Sequence, residues 1–155
     1  MTVELRPLPP EQFDEWSATG RREYAADMVA NAGMAPARAR EKAVRDYLAV
    51  LPEGLETPGH WIFVVEADGR PVGRLWFAER VVDGQNSAFL YDVHIDEDER
   101  GRGHGRAAME AFEREAARRG LRHLALNVFG GNERARALYR SMGYTEQAVQ
   151  MGKTV

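Results

Sequence analysis

The chain has 155 residues, of which 44% are hydrophobic, 9% aromatic and 29% charged; this is the size of one domain, with apolar material enough for a core, and it argues against wholesale disorder. Cysteine is absent, which excludes disulfides, thiolate metal sites, iron–sulfur clusters and a cysteine nucleophile. The net charge of −3 hides an uneven distribution: residues 1–99 carry 10 basic and 19 acidic side chains, whereas residues 100–140 carry 10 basic and 4 acidic.

An acidic body with one basic segment points to an anionic ligand at that segment. A long polyanion such as nucleic acid is disfavoured, because the surrounding body would repel it. Residues 100–123 also interleave only Phe112 among their arginines, too few aromatics for a nucleic-acid surface. No apolar run approaches the roughly 20 residues that span a membrane. The first residues, Met1 to Arg6, lack the apolar stretch of a signal peptide. The expectation is a soluble cytoplasmic protein that needs no disulfide or metal staple.

Val3 to Arg6 alternates as a short strand, and Pro7, Pro9 and Pro10 stop it. From Glu11 to about Ala32 the spacing of Phe13, Trp16, Tyr24 and Met28 predicts a helix. Gly20 offers a break within it, and Gly33 ends it. Pro36 suits the first turn of a second helix, which runs to about Leu51 through Ala39, Ala43, Tyr47 and Leu48. After a loop marked by Pro52, Gly54, Pro58 and Gly59, His60 to Ala67 reads as a strand. Asp68-Gly69 is a hairpin turn, Pro71 to Val82 the return strand, and Asp83 to Asn86 a second turn before Ala88 to Ile95.

The texture then changes. An arginine–glycine loop, Arg100 to Gly105, leads into a helix over about Arg106 to Arg119, and Gly120 caps it. Leu121 to Phe129 is a strand, Gly130-Gly131 a break, and Asn132 an N-cap for a helix reaching Met142. Tyr144 to Met151 is expected as a last strand. No repeat or low-complexity linker divides the chain, so residues 1–155 are read as one domain. A hairpin-built half joined to a βαβ-like half makes the fold class α/β, with a mixed, mostly antiparallel sheet flanked by helices.

The most informative stretch is Tyr91 to Arg106, where a strand ends, glycines alternate with arginines, and a helix opens. Glycine admits positive φ and close approach of backbone to ligand. The first helical turn offers unpaired N–H groups and the positive end of the helix dipole. Together these form a phosphate cradle, with Arg100, Arg102 and Arg106 available to add charge. Neither the P-loop pattern nor G-x-G-x-x-G occurs; Gly101, Gly103 and Gly105 are followed by Arg106.

Arg100-x-x-Gly103-x-Gly105 resembles the R/Q-x-x-G-x-G/A acyl-CoA pyrophosphate motif of the GNAT superfamily of acetyl-CoA-dependent N-acetyltransferases. Val93-x-Ile95-Asp96-Glu97 resembles the strand end that leads into it, although Glu97 stands where many members have proline. A second block, Leu124 to Tyr144, resembles the family's strand, its Asn-x-x-Ala helix (Asn132 to Ala135) and its Leu-Tyr-x-x-x-Gly-Phe/Tyr ending (Leu138 to Tyr144). The resemblance is specific over about residues 60–151 and generic before that.

It implies a GNAT-like fold with a splayed strand pair: residues 1–59 supply a strand and the acceptor-side helices, 60–95 the meander, and 96–155 the acyl-CoA-binding half. It implies transfer of an acetyl group from acetyl-CoA to a primary amine of a small molecule or peptide, by direct attack in a ternary complex. The alternative is a non-catalytic acyl-CoA-binding regulatory module on the same fold. The loop Arg100, Gly101, Arg102, Gly103, His104, Gly105 and Arg106 is assigned to the acyl-CoA pyrophosphate. Asn127, Asn132 and Ala135 are assigned to the cofactor side, and the backbone around Val93 and Ile95 to the thioester oxygen. Tyr139 matches the family's tyrosine that protonates the leaving thiolate; read on its own it is a core aromatic beside Leu138 and Met142.

The base stays open. Asp92 and His94 share one face of their strand because side chains alternate, and either could serve the acceptor amine, as could a water or a residue of the first two helices. The acidic first half suits a cationic acceptor, with Trp16, Tyr24, Tyr47, Trp61, Trp76 and Tyr91 as candidate walls. His60, His104 and His123 have no metal-ligand spacing, and no metal is expected. An open edge at the last strand would invite a second copy, a homodimer.

Overall fold

The computed structural model describes residues 1–155. Its scaffold is a five-stranded sheet in the order β1 (Val3–Pro7), β2 (His60–Ala67), β3 (Arg70–Val82), β4 (Gln85–Ile95) and β5 (His123–Leu126). The first four strands pair antiparallel, and β5 runs parallel to β4. The two-residue turns at Asp68-Gly69 and Asp83-Gly84 take positive φ at both positions, as tight hairpins demand. The two interruptions of strand register lie at Val65/Glu66 and Trp76/Phe77. At the second, Phe77 pairs with Leu90 and Trp76 with Asp92, so Tyr91 is an extra residue in β4. This bulge reverses the alternation beyond it.

Strand alternation sends two apolar sets to opposite faces. On one face Phe63, Val65, Leu75, Phe77, Ala88 and Leu90 pack against α3 (His104–Arg118) through Ala108, Met109, Phe112 and Ala116. Phe112 is wholly buried, a placement that stabilises the fold by about 1.5–3 kcal/mol. On the other face Ile62, Val64 and Trp76 meet Trp16 of α1 (Phe13–Ala32) and Tyr47 of α2 (Pro36–Val50). Trp61, expected as a wall of the acceptor pocket, lies on the α3 face instead, against Phe77 and under the Arg119 guanidinium.

Gly20 does not interrupt α1, which is continuous. Its role is to leave room: a Cβ there would lie 2.4 Å from the Tyr47 hydroxyl. That ring cannot swing aside, because it packs among Trp16, Tyr24 and Trp76. Alanine at 20 gains about 1 kcal/mol of helix propensity but overpacks the contact by about 1–3 kcal/mol. We expect Gly20→Ala to lower the thermal midpoint, and a melting curve with an unchanged or raised midpoint would show that α2 shifts freely.

The expected strand from Leu121 to Phe129 is shorter, His123 to Leu126, because β5 leaves β4 after the Leu90–Leu126 pair. The expected strand from Tyr144 to Met151 is absent. Tyr144 turns inward against Tyr139 and donates to Glu113, and Glu146 accepts from Arg136 and Arg140. Those ties hold the segment on the last helix, α4 (Glu133–Ser141), rather than beside β5. An alternating sequence becomes a strand only where an edge pairs with it. No helix is long and apolar enough to cross a membrane.

Candidate active site

Where β5 departs, β4 continues alone. Ser87 to Leu90 are buried, whereas Tyr91 to Ile95 are all half-exposed, with β3 on one side and a gap on the other. The Asp96 N–H donates to Val72 of β3, and the His94 carbonyl oxygen faces Gly73 of the same strand. By backbone alternation the N–H groups of Val93 and Ile95 therefore point into the gap. Their side chains pack toward α3, and those of Asp92 and His94 take the opposite face, toward α1.

A charged cluster assembles on that face. Arg74 of β3, only 12% exposed, donates through Nε to Asp92 Oδ2 at 2.6 Å and through its other arm to Glu23 of α1. His94 Nδ1 lies 3.2 Å from the same Glu23 carboxylate. Asp27, one helical turn beyond Glu23, completes the group; burial and then the charges of Asp92 and Glu23 raise its carboxyl above the ordinary value. Burial alone would raise Glu23 as well, but the Arg74 hydrogen bond and charge bring it below the usual carboxylate range. His94 is lowered, by burial first and by Arg74 second, against the opposing pull of Glu23 and Asp92. It is thus neutral at pH 7. Its Nδ1 side faces Glu23, and its Nε2 lies 4.0 Å from Asp96 Oδ1.

Sequence reading placed Asp92 and His94 together and missed Glu23, Asp27 and Arg74. Arg74 had a signal: a charge between Val72-Gly73 and Leu75-Trp76-Phe77 cannot lie in an apolar strand unless it is paired. The acidic pair on α1 had none beyond its spacing of four.

The loop after β4 closes onto α3. Gly101 and Gly103 have φ of +76° and +83°, a region that favours glycine. Gly103 caps α3 with no side-chain partner, and the N–H groups of His104, Gly105 and Arg106 have no backbone acceptor. That end of a fifteen-residue helix presents unpaired donors and the positive end of the helix dipole. The loop's side chains are less free than its charge suggests. Arg102 and the buried His104 both turn to Glu99, at 3.3 and 3.4 Å. Arg100 donates to the Ile95 carbonyl, and Arg106 to Ser141 of α4.

Across the gap, Asn127 is exposed just past the last paired residue of β5. Asn132 caps α4, its side chain accepting from the Ala135 N–H at 3.2 Å. Tyr139 of α4 is half-buried against the main core; burial and then the charge of Asp92 push its hydroxyl up to about 12. It therefore keeps its proton at neutral pH.

A strand pair that parts beside a helix N-terminus, with unpaired backbone N–H groups on the gap side, is the arrangement of an acetyltransferase fold. The sequence profile of the Acetyltransferase (GNAT) family matches residues 13–144, and the chain belongs to that family. It is 33% identical to the uncharacterized N-acetyltransferase YycN of Bacillus subtilis over 154 residues, 99% of each chain. The YycN crystal structure superposes with a TM-score of 0.92, at 32% identity and 99% coverage of both chains. The structure of AAC(6')-Iy in complex with the bisubstrate analog CoA-S-monomethyl-acetylneamine shares the fold at a TM-score of 0.63 and 15% identity, covering 100% of this chain and 99% of that one.

Proposed function

We propose that the protein moves an acetyl group from acetyl-CoA to a primary amine of a small molecule or peptide, by direct attack in a ternary complex, and that the acceptor is cationic. The observation that carries this reading is the position of the Glu23–His94–Asp92 cluster beside the β4–β5 gap, with the Tyr139 hydroxyl protonated within reach of the Asp92 charge. The gap and the free N–H groups at the start of α3 fit the pantetheine arm and pyrophosphate of acetyl-CoA, which serves as the acyl-donor substrate.

An ammonium has no lone pair, so the acceptor must first lose a proton. The His94 imidazole takes it, and the Glu23 carboxylate 3.2 Å from its Nδ1 favours the charge it gains. The amine nitrogen then bonds to the thioester carbonyl carbon while the carbon–sulfur bond breaks. Val93 and Ile95 N–H groups stand on the gap side to hold the carbonyl oxygen as charge develops. Tyr139 gives its proton to the departing thiolate and is restored by the second proton that the nitrogen sheds as it becomes the amide. Three carboxylates against the single arginine of the cluster attract a cation, and Asp27 is the one that makes no ion pair.

The test is thiol release from acetyl-CoA against polyamines, aminoglycosides, amino acids and short peptides; a cysteine-free protein adds no thiol background. We expect turnover with a cationic amine class. Tyr139→Phe should lower kcat by about 10²-fold or more while acetyl-CoA affinity is retained. Full activity in the phenylalanine variant would remove Tyr139 from the chemistry, and failure to bind acetyl-CoA would overturn the reading as a whole.

A further inference from the structure

An aromatic cluster adjoins the charged group of the candidate site. Trp16 of α1, Tyr47 of α2 and Trp76 of β3 pack together there, with ring centroids 5.4 to 6.1 Å apart. Trp76 pairs in register with Asp92. Gly20, against which the Tyr47 hydroxyl lies, comes one helical turn before Glu23. The hydroxyl therefore stands beside the group formed by Asp92, Arg74 and Glu23. Its polar neighbours are bonded: Tyr24 donates to Asp46 at 2.9 Å, Trp76 Nε1 to His60 Nδ1 at 3.0 Å, and Arg74 Nε to Asp92 at 2.6 Å. Trp16 Nε1 has no partner, but it is sealed from solvent. Tyr47 is 9% exposed. Its hydroxyl makes no hydrogen bond either, yet it is not one of the sealed unpartnered atoms, so it opens to solvent.

A buried phenol whose free hydroxyl opens beside a charged group is placed to meet a ligand. Burial, and after it the charge of Asp92, raise that hydroxyl well above its ordinary value, so it stays protonated. In the field of Asp92 and Glu23 its O–H dipole turns the hydrogen toward the acids. It is thus a donor on the side where the amine enters. An ammonium has no lone pair to offer such a donor, and a carboxylate would be repelled by the acids around it. A neutral oxygen meets both conditions. We propose that Tyr47 donates a hydrogen bond to a hydroxyl or amide oxygen of the acceptor, which is then an amine carrying a neutral oxygen close to its reacting nitrogen rather than a plain polyamine. This role rests on the reading of the charged group as the acceptor site. Gly20 belongs to it as well, since a side chain there would displace the hydroxyl.

Calorimetry on the full chain saturated with CoA tests this with two pairs of amines. Lysinamide against cadaverine reads the amide, and diaminopropanol against diaminopropane reads the hydroxyl; each pair differs by the oxygen-bearing group alone. The oxygen-bearing member of at least one pair is expected to bind about tenfold tighter, the scale of one neutral hydrogen bond, and the pair that shows it tells hydroxyl from amide. In Tyr47→Phe that preference should vanish. The thermal midpoint of the variant should hold or rise, because the hydroxyl has no partner within the chain to lose. Equal binding within both pairs, no binding of any of the four, a preference that survives in Tyr47→Phe, or a lowered midpoint would each overturn the role of Tyr47. Thiol release from acetyl-CoA with the same amines separates this from the catalytic reading: selective binding without turnover would keep Tyr47 as a ligand contact and remove acetyl transfer.

Discussion

Replacing His94 by alanine is expected to lower kcat/KM for amine acetylation by about 10²- to 10⁴-fold at neutral pH, the range over which a positioned base contributes. The effect follows from protonation state. Burial, and after it the Arg74 charge, hold the His94 imidazole below its ordinary value of 6.5, so the folded protein presents the free base at pH 7. Activity of the unaltered protein should therefore be level through neutrality and fall as pH drops through a value below 6.5. The alanine variant should lack that acid limb. Glu23→Gln supplies a further sign check: Glu23 is one of the groups that raise the His94 value, so its neutralisation should move the limb to still lower pH. A pH–rate profile in which the limb persists after His94→Ala would transfer the role of base to Asp92 or to water.

Gly73→Ala is expected to destabilise the protein by about 2–3 kcal/mol, toward the upper end of overpacking costs, and to raise the KM for acetyl-CoA. A Cβ at Gly73 would lie 2.0 Å from the His94 carbonyl oxygen and 3.1 Å from the Ile95 Cα. Both are backbone atoms, so no side-chain rotation relieves the overlap, and the end of β4 must move. That end carries the Val93 and Ile95 N–H groups in the gap and the His94 imidazole on the other face. Urea unfolding and acetyl-CoA saturation curves read the two effects separately. A stability change within about 0.5 kcal/mol, the range of a neutral surface substitution, would show that β4 has room to spare.

Much of this molecule was legible in the order of its residues. The meander, the arginine–glycine loop opening α3, and the Asn132 cap of α4 are local features: turn chemistry, strand alternation and capping act between neighbours in the chain. The pair Asp92 and His94 was also correctly placed on one face, since two residues two apart in a strand share a side whatever precedes them. What precedes them was not legible. The extra residue at Tyr91 sets which face that is, and it arises from the pairing of β4 with β3. Arg74 and Glu23 are 51 residues apart, and nothing local brings them to one carboxylate–guanidinium–imidazole group.

The basic loop shows the same division. Its composition announced an anion site, yet the buried Glu99 takes up Arg102 and His104, which no count of charges reveals. Gly20 read as a break in a helix because glycine is a poor helix former; it is instead the space into which Tyr47 of another helix fits. The alternation of Tyr144 to Met151 announced a strand, but a strand is a relation between two segments, and this chain leaves the segment without one. Sequence by itself determined the helices, the first five strands and their order, because those depend on residues within a turn or two of each other. Only the tertiary structure decided which charges neutralise one another, which imidazole is left as a free base, and which edge remains open, because burial and pairing depend on groups that the chain brings together from a distance.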